Sequence, residues 1–113
     1  MSSDRRPMTL NLNANKDGLL TESWLAMFGG AVKYLLQGMF GDEKRSYGAL
    51  DTIIKGTPTQ IASFGDTLSK EKRYMETFLK HGLNDPRSFK SKANLNKAIA
   101  SFERETGIKW PFN

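Results

Sequence analysis

The stretch Leu19–Gly41, LLTESWLAMFGGAVKYLLQGMFG, holds most of the long apolar side chains in the first half of the chain. Only Glu22 and Lys33 carry a charge within it. Because the chain is polar elsewhere, this stretch must be covered by the protein's own core, by a partner or by a membrane. Its apolar residues recur with helical spacing, so it is predicted to form the central helix of the fold.

The predicted central helix carries apolar residues on two faces with different expected roles. The first face is predicted to lie against the core and comprises Leu25, Phe28, Val32, Leu35, Leu36 and Met39. The second face is less regular, is predicted to contact a partner, and comprises Trp24, Met27, Ala31 and Tyr34. The other apolar stripes of the chain are narrow and do not cover both faces. An apolar surface left over on a small protein marks an interface.

Two glycines and a lysine constrain what can lie against this helix. Gly29 and Gly30 each cost about 1 kcal/mol relative to alanine, so a close backbone contact or a kink is expected to offset that cost. Ala26 lies four residues before Gly30, the spacing of small residues at tight helix contacts. A membrane span is disfavoured, since Lys33 would lie near the bilayer centre at a cost of at least about 2.5–3.5 kcal/mol.

Composition places the chain among single-domain globular proteins. Its 113 residues suit one domain, and seven Phe, three Tyr and two Trp are too many for a disordered chain. The absence of cysteine excludes disulfides and thiolate metal sites, and it fits a reducing compartment. The first 18 residues lack an apolar run, so no secretory signal is expected. The predicted location is the cytoplasm or a macromolecular assembly such as a virion.

Residues 1–18 are polar and are predicted to form an N-terminal arm. Within the arm, Met8–Asn13 alternates apolar and polar residues with the two-residue period of a strand. A lone strand is not stable, and no second strand of similar quality follows in the sequence. The arm is therefore expected to be a loosely held tail, to lie on the helices, or to pair with another chain.

Apolar spacing predicts three more helices and an all-α domain over residues 19–108. Asp42 is expected to cap the first of them, which ends at Gly56. Its apolar stripe comprises Tyr47, Leu50, Ile53 and Ile54. The sequence thus predicts a small bundle of about four helices with an extended N-terminal arm and an aromatic C-terminal tail.

The remaining two helices carry clear start and stop signals. Thr57–Gln60 reads Thr-Pro-Thr-Gln, a capping box with proline at the first helical position, and Gly82 suits the end of that helix. Gly65 is a candidate break within it. Asp85 is expected to cap a single turn, after which Ser91 is expected to cap the last helix.

Gly107 is expected to end the last helix, with Ile108 making the hydrophobic return contact. The tail 109–113 then places two large aromatic residues, Trp110 and Phe112, beside a proline. This tail is predicted to fold back onto the helices. Alternatively, a short tail of this kind docks into a partner's groove, so Trp110 and Phe112 are also candidate interface residues.

No catalytic motif is visible in the sequence. His81 is the sole histidine, and its place in the last turn before Gly82 favours a structural role at the helix dipole. No serine lies in a nucleophile motif with a histidine, and the paired glycines lack the lysine of a phosphate loop. Since catalysis needs a positioned base or nucleophile with an orienting partner, the protein is predicted not to be an enzyme. No cofactor or metal ion is expected.

The most informative charge pattern is a run of bases with no acid among them, formed by Arg87, Lys90, Lys92 and Lys97. These bases lie at and before the predicted start of the last helix, where the helix dipole favours anions. They are candidate contacts for an anion or a nucleic acid. A helix-turn-helix would place them on DNA, but the connection 82–90 is longer than the usual 3–4 residues or so.

The leading functional prediction is a non-enzymatic structural or adaptor subunit of a larger assembly. Small helical subunits with an extended arm and no visible chemistry are common in viral particles and their tail machinery. The expected partner is another copy of the chain or a larger protein assembly. The alternative is a small nucleic-acid-binding module that uses the basic segment 87–97. Contact with a membrane surface through the central helix is not expected.

Overall fold

The computed structural model describes residues 8–40 and 52–112, and these residues form three helices and a two-stranded sheet. In chain order the elements are strand β1 (Met8–Asn11), helix α1 (Glu22–Phe40), strand β2 (Thr52–Lys55), helix α2 (Pro58–His81) and helix α3 (Pro86–Thr106). The chain is mostly helical, so the all-α class fits broadly. A four-helix bundle is not confirmed. The predicted helix from Asp42 lies largely in residues 41–51, outside the described ranges.

The N-terminal arm finds its partner strand within the same chain. β1 and β2 are parallel, with Leu10 beside Ile54, and the Leu12 N–H donates to the Lys55 carbonyl at 2.8 Å. The prediction that Ile53 and Ile54 belong to a helix was therefore wrong. Both residues are β-branched and suit a pleated strand, and α1 provides the long crossover that parallel strands require.

Burial along the arm shows why it is held in place. Leu10, Leu12 and Ala14 are all fully buried, so the expectation of a loosely held tail was wrong. Asn13 accepts a hydrogen bond from the Gln60 side chain at 3.0 Å, which ties the arm to the start of α2. Residues 10–14 of the arm thus contribute three side chains to the core.

Helix α2 begins as its sequence predicts. The Thr57 hydroxyl accepts from the Gln60 N–H at 3.1 Å, and the Gln60 side chain accepts from the Thr57 N–H at 2.9 Å. This capping box satisfies two backbone donors that a helix start would leave free. The helix continues through Gly65 without the expected break.

Replacing Thr57 with alanine is expected to lower the free energy of unfolding by about 1 kcal/mol, because it removes the hydroxyl that accepts from the Gln60 N–H and leaves only the backbone donor of the capping box. Urea denaturation followed by circular dichroism measures the change. Thr59→Ala is the control, since Thr59 is exposed in the same turn. Equal losses for the two variants would contradict the role assigned to the box.

Helix α3 begins earlier than predicted. Asp85 is its N-cap and accepts from the Arg87 N–H at 2.8 Å, and the helix then runs unbroken to Thr106. Ser91, the expected cap, lies inside the helix, because the turn predicted after Asp85 is continuous with the helix that follows. The helix ends at Gly107 in the left-handed conformation, as predicted.

Helix α1 is capped by Thr21, whose hydroxyl accepts from the Trp24 N–H at 3.0 Å. Its buried face is rotated relative to the prediction. Ala31, expected to face a partner, is only 2% exposed, whereas Leu25, expected in the core, is 36% exposed. The reason is that Phe64 and Phe102 of the core contact α1 at Phe28. The buried side of the helix is therefore centred near Phe28, between the two predicted faces.

Most of the remaining residues of the predicted inward face lie on the buried side of α1. Phe28, Val32 and Leu36 are buried, and Leu35 is partly buried against the core. The side chain of Met39 lies outside the described residues. The core-facing prediction for α1 therefore holds for Phe28, Val32 and Leu36 and fails for Leu25.

Four aromatic rings join α1, α2, α3 and the C-terminal tail. Phe102 lies 6.1 Å from Phe28, 6.0 Å from Phe64 and 5.3 Å from Trp110, measured between ring centroids. Trp110 and the fully buried Ile108 belong to this core. The prediction that the tail folds back onto the helices is thus confirmed.

Candidate protein-binding surface

Ten large apolar side chains among the described residues remain exposed, and six of them lie in two regions. One is the outer side of α1, with Met27 39% and Tyr34 41% exposed. The other surrounds the turn between α2 and α3, where the exposed residues are Phe78, Leu79, Leu83 and Phe89. The first region overlaps the predicted interface. The second was not singled out from the sequence.

The outer side of α1 presents a narrow surface, defined here as the α1 outer face: Ala26, Met27, Gly30 and Tyr34. All four residues are exposed, and they recur at intervals of three and four along one side of the helix. This surface replaces the predicted interface of α1 in part. Met27 and Tyr34 remain in it and Ala31 does not.

Trp24, the remaining residue of the predicted α1 interface, is partly buried. Its ring stacks on Phe28, with 5.3 Å between the ring centroids and 11° between the planes. The indole therefore covers the end of the aromatic core. Its role in this fold is to shield Phe28 from water, which leaves only its outer edge for any other contact.

The two mid-helix glycines of α1 differ in what surrounds them. A Cβ placed on Gly29 would lie 3.4 Å from the Cβ of Pro111, so the C-terminal tail packs closely against this position. A Cβ placed on Gly30 would meet nothing within 4 Å, and Gly30 is exposed. The tail contact accounts for Gly29. No contact within the described chain accounts for Gly30.

Trp110, a predicted interface residue, is only 5% exposed. Its Nε1–H donates to Glu71 Oε1 at 2.9 Å, and its indole meets Phe64 and Phe102 edge-on. Phe112, the other aromatic residue of the tail, is partly buried against the same core. The tail is thus used within the chain. The carboxylate partner of Trp110 could not be found from sequence, because Glu71 lies 39 residues before it and no local pattern links the two.

Glu71 is the one ionisable residue among the buried side chains described, at 4% exposure. Burial raises the pKa of its carboxyl, while the hydrogen bond from Trp110 and the charge of Lys92 act in the opposite direction. Lys92 itself lies over the ring of Tyr74, 5.0 Å from its centroid.

Within residues 8–40 and 52–112, no three His, Asp or Glu side chains come together as a metal site.

The basic segment does not form a single anion site at a helix start. Arg87 pairs with Asp85 through two hydrogen bonds of 3.0 Å. The Arg87 side chain and backbone N–H hold the pKa of Asp85 near 2, well below its usual value. Since α3 begins at Pro86, Lys92 and Lys97 lie in the helix interior, and only Arg87 and Lys90 are near its N-terminus. The arrangement therefore gives less support to an anion site than the sequence suggested.

No helix in the described part of the chain is long and apolar enough to cross a membrane. Comparison with known proteins found no matching family model, no matching curated protein and no matching solved structure.

Proposed function

We propose that the protein is a non-enzymatic structural or adaptor subunit that assembles through the α1 outer face, with a second copy of the same chain as its partner. The observation that supports this most directly is Gly30. It lies exposed and uncontacted in the middle of a helix, between the exposed side chains of Met27 and Tyr34. A glycine at such a position costs about 1 kcal/mol in the isolated chain, and a close-packed partner would offset that cost.

A helix is the partner that fits this surface best. Small residues let two helix backbones approach closely, and Ala26 and Gly30 have the required spacing. Met27 adapts its shape to irregular surfaces, and Tyr34 supplies an apolar ring with a polar end. Together they would flank a contact centred on Gly30.

The position of Gly30 also favours a symmetric contact. It is the ninth of the 19 residues of α1, close to the middle of the helix. Two antiparallel copies of α1 that cross at this point would place Met27 of each copy near Tyr34 of the other. Most homodimers use such a self-complementary interface with two-fold symmetry.

Two glycine positions allow a matched test. Gly30 and Gly65 are both exposed, helical and free of contacts within 4 Å of an added Cβ. We expect Gly30→Ala and Gly65→Ala each to raise the free energy of unfolding by about 0.5–1 kcal/mol, since alanine favours helix. We expect Gly30→Leu to abolish self-association, because the side chain would hold the two backbones apart. Gly65→Leu should leave association unchanged.

Sedimentation equilibrium over a range of concentrations measures association, and denaturation at low concentration measures stability. A wild-type chain that stays monomeric at the highest attainable concentration would rule out self-association. Crosslinking through a cysteine placed at Ser23 would then identify a different partner in the native source. Equal association of the wild type and Gly30→Leu would exclude the α1 outer face as the interface.

A further inference from the structure

We propose that the tip of the α2–α3 hairpin, residues 78–90, contacts an anionic lipid surface by inserting exposed leucine and phenylalanine side chains between head groups that its lysines bind. This tip is a different surface from the α1 outer face, and the proposal does not depend on the proposed self-association. It also differs from the membrane span considered for α1, because only side chains at the end of the hairpin enter the lipid.

The hairpin tip extends beyond the protein core. The core and the apolar residues packed on it include α2 only as far as Met75 and α3 only from Leu95 onward. The helical rise then carries α2 about 9 Å further, to His81. Phe78 shows the consequence, since it continues the spacing of the buried Phe64 and yet is 36% exposed.

Polar contacts hold the two helices together at this end. The Ser88 hydroxyl donates to the Gly82 carbonyl at 2.6 Å, and the Ser91 and Thr77 hydroxyls lie 3.3 Å apart. Ser88 is only 2% exposed. Phe78 also stacks on Tyr74, with 6.3 Å between the ring centroids, whereas Leu79, Leu83 and Phe89 stay exposed and available for another contact.

Large apolar side chains are unusually exposed at the tip. Leu79 is 75% exposed, Phe89 60% and Leu83 57%, and together with Phe78 they fall within 12 residues of sequence. Single exposed apolar residues are common on protein surfaces, but a cluster of this kind marks a binding surface. The cluster lies at the end of a projection and so presents protruding side chains instead of a groove.

The charges around this cluster are mainly positive. Residues 78–90 contain three basic residues, Lys80, Arg87 and Lys90, and one acid, Asp85. Asp85 is paired with Arg87, and among the described residues no carboxylate pairs with Lys80 or Lys90. The two lysines therefore add positive charge beside the exposed leucines and phenylalanines. The combination complements a surface that is negative outside and apolar beneath.

An anionic bilayer matches this combination better than a protein or a nucleic acid does. A protein partner would need a pocket shaped to each of these side chains and acidic groups placed opposite the two lysines. Nucleic acids stack on aromatic rings, and they offer no site for Leu79 or Leu83. The interface of a bilayer is fluid and needs no matching groove, and anionic head groups attract lysine.

Vesicle flotation with the full chain tests the proposal. We expect the wild type to float with vesicles of phosphatidylcholine and phosphatidylserine, and to bind pure phosphatidylcholine at least about tenfold more weakly. The double variant Leu79→Ser/Phe89→Ser should lose binding by about tenfold or more. A second double variant, Lys80→Glu/Lys90→Glu, should lose it to a similar extent. Circular dichroism verifies that each variant is folded.

Two matched controls lie outside the tip. Ile61→Ser removes an exposed apolar residue from the opposite end of α2, and Lys97→Glu reverses an exposed charge further along α3. Both should bind anionic vesicles like the wild type, and so should Gly30→Leu. Retained binding by Gly30→Leu would separate this proposal from the proposed self-association, since that variant addresses only the α1 outer face.

Three results would overturn the proposal. The first is a wild type that does not float with anionic vesicles at low salt. The second is flotation of the tip variants at the level of the controls. The third is binding of single-stranded RNA that depends on Lys80 and Lys90 but not on Leu79 and Phe89, in the absence of vesicle binding. That third result would assign the tip to nucleic acid instead.

Discussion

Replacing Phe102 with alanine is expected to lower the free energy of unfolding by about 3–5 kcal/mol. Phe102 is fully buried, and its ring contacts those of Phe28, Phe64 and Trp110. Alanine at this position would leave a cavity where three helices and the C-terminal tail meet. The surrounding rings belong to different elements, so collapse around the cavity would require several elements to move at once.

The size of this effect matters for a domain of this length. Natural domains are stable by only about 5–15 kcal/mol, so the loss of Phe102 would remove a large part of the total. Urea denaturation, followed by tryptophan fluorescence and circular dichroism, measures the change.

Phe89→Ala is the matched control, because Phe89 lies on the same helix and is 60% exposed. It should change stability by no more than about 0.5 kcal/mol. Similar losses for both variants would contradict the assigned core.

The features that sequence predicts well in this chain are the local ones. The capping box at Thr57 and Gln60 involves residues three apart, and the helix end at Gly107 depends on one residue's backbone. Neither needs knowledge of the tertiary structure. The mostly helical character follows for the same reason, since helical spacing is read within a short window of sequence.

The sheet could not be predicted from these local signals. β1 and β2 are 44 residues apart in register, and each is only four residues long. Adjacent Ile53 and Ile54 are consistent with the edge of a helical stripe as well as with a strand. A short apolar run does not distinguish the two, and the pairing that decides between them is a long-range contact.

The candidate site also depends on long-range contacts that local sequence patterns do not reveal. The two apolar faces of α1 were visible from the sequence, but the rotation of the helix about its axis depends on what packs against it. Phe102 and Phe64 meet α1 at Phe28, which brings Ala31 inward and leaves Leu25 outside. The exposed tip of the hairpin was missed because periodicity alone does not reveal where the core ends along a helix.

Replacing Trp110 with alanine is the second change expected to have a large effect, again about 3–5 kcal/mol, because a buried aromatic ring is lost from the same core. A further cost comes from Glu71, whose carboxylate would lose the indole N–H that donates to it. Trp110→Phe separates the two contributions, since it keeps much of the ring and removes the donor. It is expected to cost about 1–3 kcal/mol.

Denaturation of four variants measures these contributions: Trp110→Ala, Trp110→Phe, Glu71→Gln and the double variant Trp110→Phe/Glu71→Gln. In the Glu71→Gln background the uncompensated charge is absent, so Trp110→Phe should cost less there than in the wild type. The difference between the two costs gives the coupling between the residues. Equal costs in both backgrounds would show that the charge of Glu71 adds nothing to the hydrogen bond from the indole, which a glutamine carbonyl can also accept.

The pH dependence of stability provides an independent measure of the same contact. Burial raises the pKa of Glu71 in the folded chain. Between the ordinary pKa of a glutamate and this raised value, the folded state holds a proton that the unfolded state has released. Stability relative to Glu71→Gln should therefore fall as pH rises through that window, and should level off above it. Using the difference from Glu71→Gln removes the contribution of other acids, including Asp85, whose lowered pKa acts in the opposite direction.

Trp110→Phe should extend this window to higher pH. The indole hydrogen bond favours the charged form of Glu71 and so lowers its pKa, and without that bond the pKa should rise further. The fall in stability, measured against the double variant Trp110→Phe/Glu71→Gln, should then continue to a higher pH than in the wild type. Identical windows with and without the indole donor would mean that the indole N–H has no effect on the pKa of Glu71.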